Sequence, residues 1–141
     1  MLEFLQVQEL AILRFAHILA MVYWLGGEWA VFQTSYKVVD PALTVPERVR
    51  HLDTVFRIDV GSRIGIVSLL PLGLHMGHLW GVQPYGGHFL VAVWLVWALW
   101  VFITLLAFRD KMSRKRTLWG TLEDWSRYIA IPALIGTGLS S

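Results

Sequence analysis

A chain of 141 residues that is 56% hydrophobic, 16% charged and carries eight tryptophans is too apolar for an ordinary soluble domain of its size. It reads as an integral membrane protein, and with no cysteine it can hold neither a disulfide framework nor an iron–sulfur or thiolate metal site. The net charge of +2 is a topology signal in such a chain and calls for no nucleic-acid partner.

The first predicted span covers about residues 10–32, long enough for a ~30 Å hydrocarbon layer. No basic n-region and no small-residue cleavage site accompany it, so it is expected to stay in the membrane rather than be removed as a signal peptide. Within it lies the stretch around which the chain is organised. At 100° per residue, Arg14, Met21, Trp24 and Glu28 fall at about +60°, +40°, −20° and +20° from His17, on one face. Phe15, Ile18, Leu19, Val22 and Leu25 make the opposite face wholly apolar, suited to lipid or another helix. Arg, His and Glu along one stripe inside hydrocarbon are costly, which makes that stripe the functional candidate.

A polar connection follows, in which Thr44-Val-Pro46-Glu47 has the form of a capping box. Val49, Leu52 and Phe56 at helical spacing, with Asp53 and Arg57 paired at i,i+4, predict an amphipathic cytoplasmic helix over about 45–60 that can run straight into the second span. That span is 64–82, with Pro71 as its kink. The short link 83–87 joins antiparallel neighbours, and 89–108 is a third, uncharged span. A basic loop from Arg109 to Arg116 precedes a short fourth stretch over about 125–141. The expected fold is all-α: a single domain over 1–141, an antiparallel four-helix transmembrane bundle.

Of the twelve Lys and Arg, all but Arg14 flank the first and third connections. By the positive-inside rule both connections are cytoplasmic, both termini and the 83–87 link are periplasmic, and the localisation is a bacterial inner membrane crossed several times. Depth then aligns the histidines. His17 and His75 each lie seven residues from the outer end of their span, His78 is one turn further out, and His88 opens span three. Neutral imidazoles at one depth on facing helices are how bundle proteins hold haem iron or another metal. Met21 and Met76 could add thioether ligands suited to haem or Cu(I). Arg14 fits an anionic partner such as a haem propionate, a quinone oxygen or a lipid phosphate. Glu28 is expected to pair with Arg63 near the cytoplasmic face. Trp94, Trp97 and Trp100 lie mid-span, where interfacial anchoring does not account for them; they suit stacking on a flat ring, packing in the core, or contact with another membrane subunit.

Phe15-x-His17, with Trp24 seven residues on and Gly26-Gly27 following, resembles the first helix of the copper-resistance-D and HemJ-type (protoporphyrinogen oxidase) group of small four-helix membrane proteins. Pro71-x-Gly73, Gly87-His88 and the basic loop before a last helix with Pro132 are similar in order and spacing. The resemblance implies haem b held by the first-helix His, or, in the copper-resistance branch, copper movement across the inner membrane. Where HemJ-type enzymes carry a Lys two residues after the helix-three His, this chain has Leu90, which removes that residue from an oxidase reading. Three expectations stand. The first is a haem b protein for redox or electron transfer, with His17 and His75 or His78 as ligands and Arg14 and Trp24 beside them. The second is a copper-handling permease using His17, His75, His78, Met21 and Met76, and the third is a non-catalytic accessory subunit of a larger membrane complex. No hydrolase triad, P-loop or paired-carboxylate motif is present.

Overall fold

The computed structural model describes residues 2–113, and side chains from residue 6 onward. Over that range the chain is all helical: α1 is Leu2–Val38, α2 is Val45–Leu79 and α3 is His88–Met112. The expected fourth span, 125–141, and the loop residues from Arg114 on lie outside the described residues. The chain divides into two compact units, Met1–Val101 and Phe102–Ser141, with α3 continuous through the boundary.

α1 begins earlier and ends later than the apolar run that predicts it, because nothing before Pro41 breaks a helix. Proline bars the residue before it from helical geometry, and Asp40 closes the turn by accepting the Ala42 N–H at 3.0 Å. Lys37 in the last turn lies 3.6 Å from Asp40. At Thr44 the capping box is formed: the Glu47 carboxylate accepts the Thr44 N–H at 2.8 Å and its hydroxyl at 2.6 Å. These two bonds to the ionised form, first the hydroxyl and then the backbone N–H, hold Glu47 below its ordinary pKa. From this cap α2 runs unbroken through the expected amphipathic segment and second span, with Pro71 buried inside it. It stops in a Schellman motif: Gly81, at φ +71°, donates to His78 O at 3.0 Å, and Val82 donates to Gly77 O at 2.9 Å.

Two helices are long and apolar enough to cross a membrane, Gln6–Val38 and His88–Met112, and only 6% and 11% of their most apolar windows is buried. That much exposed apolar helix suits lipid or a partner rather than a water-facing surface. The outward face of α1 is the expected one, with Phe15 68%, Ile18 58%, Val22 59% and Leu25 55% exposed. α2 is not among the two, since Arg63, His75, His78 and its glycines and serines dilute its hydropathy. It holds most of the buried positions instead, Ser62, Gly65, Ser68, Pro71, Leu72 and Met76 among them.

The α1–α2 seam is where the sequence stripe needs correction. Positions turned inward on α1 are Leu10, Leu13, His17, Ala20, Trp24, Gly27, Val31 and Thr34, a mean spacing of about 3.5 residues. Arg14, Met21 and Glu28 lie on its flank and are exposed. The reason is size. A Cβ on Gly65 would sit 2.7 Å from Ala20 O and 2.9 Å from Trp24 N, and one on Gly27 would sit 2.8 Å from Ser62 Cβ. Helices this close admit Ala, Gly and Ser but no arginine, methionine or glutamate. The Glu28–Arg63 pair does not form: the Ser62 hydroxyl reaches Glu28 Oε1 at 2.9 Å and Trp24 O at 3.1 Å, while Arg63 meets Asp59 at 2.7 Å. One residue on from Ser62 is 100° round the helix, enough to turn Arg63 away.

This packing predicts that Gly27→Ala costs about 1–3 kcal/mol by overpacking. Ser62→Gly, which removes the clashing Cβ, should recover part of that loss in the double variant. Chemical unfolding in detergent measures both, and additive costs in the double variant would show that the two residues do not meet.

Candidate functional site

The half of the α1–α2 pair nearer the start of α1, beyond the Gly65 contact, is filled by Leu13, Leu72 and Met76, with Leu10, Ala16, Ala20, Leu79 and Trp94 packed around them. The histidines are arranged around this cluster. His17 on α1 lies against Gly73, whose added Cβ would stand 3.7 Å from His17 Cε1. His75 on α2 places Nε2 3.2 Å from Glu9 Oε1. Glu9 is eight residues before His17, about 12 Å further out along α1, so the counterpart of His75 on α1 is a carboxylate and not the His17 imidazole. His78 sits under the 83–87 link, where a Cβ on Gly86 would clash with its ring. Gln83 ties that link down, donating to Leu74 O at 2.9 Å and Tyr85 O at 2.8 Å while accepting from Tyr85 N at 2.8 Å.

In all three imidazoles Nδ1 is buried and without a hydrogen-bond partner. Buried polar atoms are nearly always satisfied, so three orphans in one half of one helix pair make it the candidate site. His17 makes no hydrogen bond at either ring nitrogen among the described residues. No group of three or more His, Asp or Glu among the described residues is placed to hold a metal ion. The two methionines do not change this: Met76 is 6% exposed inside the apolar cluster, and Met21 is 40% exposed on the flank. Arg14 is exposed beside His17 and makes no ion pair among the described residues.

The tryptophans of α3 have work within the chain. Trp94 meets His75 edge-on, with ring centroids 6.3 Å apart and planes at 77°, and meets Trp97 likewise at 5.3 Å and 81°. Trp97 donates its indole N–H to Ser68 Oγ at 2.9 Å, and Ser68 donates to Ile64 O at 2.7 Å. An unbroken line therefore runs from Glu9 on α1 through His75 on α2 to Trp94 and Trp97 on α3 and back to Ser68. Trp100 is half-buried and His88 exposed. Leu90, where the HemJ-type pattern has Lys, is buried at 8% exposure.

Sequence reasoning overlooked Glu9 and Ser68 as site residues. Glu9 falls about −80° from His17 on the helical wheel, in line with Gly27 and well away from Arg14, and that angle is the available signal. No family model, no curated protein and no solved structure matches this chain.

The Trp97–Ser68 bond predicts that Ser68→Ala, which strands a part-buried indole N–H, lowers stability by about 1–3 kcal/mol. Tryptophan emission followed through unfolding in detergent reads the loss. An unchanged midpoint would mean that Trp97 finds another acceptor.

Proposed function

We propose that the chain is a multi-pass bacterial inner-membrane protein that binds haem b at the outer half of the α1–α2 pair, in a redox or haem-handling role, with His17 as the principal iron ligand. The observation that carries this reading is that His17 makes no hydrogen bond at either ring nitrogen among the described residues, with its Nδ1 buried. Haem iron brings four nitrogens of its own and asks the protein for one or two imidazoles. A bare copper ion needs several protein donors together, and with no three-residue group among the described residues and with Met76 held in apolar packing, those residues favour haem over copper. Arg14, exposed next to His17, is the side chain to receive a propionate, and Trp24 on the same helix can border the ring. When bound, the haem would supply one-electron chemistry. The protein's own part is to hold, orient and partly dry it. Buried Leu90 offers no proton-handling group, so the reading does not extend to porphyrinogen oxidation.

In this reading the histidine half faces the periplasm, as do both termini, since eleven of twelve Lys and Arg flank the other side. The fourth span belongs to the proposal as well.

Purified from a haem-replete bacterial membrane, the protein should show a Soret band. His17→Ala should lose most of it with helix content by circular dichroism unchanged. A colourless wild-type protein, or a full Soret band in His17→Ala, would end the haem reading.

A periplasm-active reporter should light up when fused at Gly86, and a cytoplasm-active one when fused within 109–116. The reverse pattern would put the histidines on the inner side.

A further inference from the structure

Of the three histidines with an orphaned Nδ1, His75 alone has its other nitrogen beside a carboxylate. A neutral imidazole carries one hydrogen, and the bond made by one ring nitrogen decides which lone pair remains. A carboxylate can only accept, so the hydrogen that Glu9 would draw stands on His75 Nε2, 3.2 Å away. Nδ1 is then a lone pair, buried and facing no donor of the described residues. A flip of the ring about Cβ–Cγ would put a carbon where each nitrogen now stands, but Trp94 stands edge-on against one side and the Leu13, Leu72 and Met76 cluster lies next to the same turn of α2.

We propose that Glu9 is a positioning residue that fixes His75 as the Nε2–H tautomer and thereby makes its Nδ1 a buried hydrogen-bond acceptor for a small ligand bearing an O–H or N–H. The ligand role rests on the haem-site reading, within which it divides the labour between the histidines. Nδ1 adjoins Cβ and is crowded for a large ring, so His75 serves the ligand's donor group while His17, unengaged at both nitrogens, serves the iron. The tautomer itself depends on no cofactor. Glu9 has its side chain 47% exposed against 22% for His75, so the pair spans from the outer surface to the interior.

The test uses the full chain, labelled with 15N-histidine, in lipid nanodiscs without haem; His75→Gln assigns the His75 signals. The expected spectrum shows a pyrrole-type Nε2 and a pyridine-type Nδ1. Glu9→Leu should leave circular dichroism and the His17 signals in place while His75 becomes a mixture of tautomers. Phenol, a compact apolar O–H donor, should shift the His75 Nδ1 resonance, and toluene, matched in shape, should not. A wild-type His75 protonated at Nδ1, or a spectrum indifferent to Glu9→Leu, overturns the positioning role; no response to phenol overturns the acceptor role. Because haem is absent throughout, these failures are separate from a missing Soret band, which would overturn the haem reading and leave the tautomer standing.

Discussion

The near-contact of backbones where Gly65 meets Ala20 and Trp24, and where Gly27 meets Ser62, is the constraint from which the rest follows. For a helix pair in hydrocarbon there is no hydrophobic drive to association, because lipid is as apolar as leucine. Such a pair would be held by dispersion across a closely fitted surface and by hydrogen bonds such as Ser62 to Trp24 O and Glu28. Small residues at the seam permit both. They also decide the rotation of α1 about its axis, and so which of its polar side chains face α2 and which lie on the flank.

That rotation explains what was legible in the sequence and what was not. Periodicity located the apolar face of α1, because it depends only on angle, and Thr44 with Glu47 marked the start of α2, because a cap is a local four-residue motif. Continuity from the amphipathic segment into the second apolar run was readable for the same reason: nothing between them breaks a helix. The stripe of Arg14, His17, Met21, Trp24 and Glu28 fits a seven-residue repeat as well as the true seam does. Only the size of Ala20 and Gly27 against Met21 and Glu28 separates the two.

Depth reasoning failed in a related way. It ends each span where charge begins, so the span over about 10–32 stops short of Glu9, although α1 continues through it to Leu2. Extending the helix by two turns brings a carboxylate level with His75. The Glu28–Arg63 pairing was nearly right in depth and missed by a single residue, which on a helix is a change of face. Trp97 and Ser68 could have been matched only by setting α2 and α3 side by side, a register that no local pattern in either helix encodes.

α1 has 37 residues, so as a straight helix it is roughly 55 Å long against about 30 Å of hydrocarbon. Tilt alone would have to approach 60° to hide it, well outside the range of about 0–40° in which spanning helices lie. An α1 that crosses a bilayer would therefore overhang it. At its C-terminal end its neighbour is the charged start of α2, so the overhanging part would be a helix pair, tied at its tip by the short turn between Val38 and Val45. A force or a binding event at that tip would act on the same two helices that carry His17 and His75, more than twenty residues along from where it is applied.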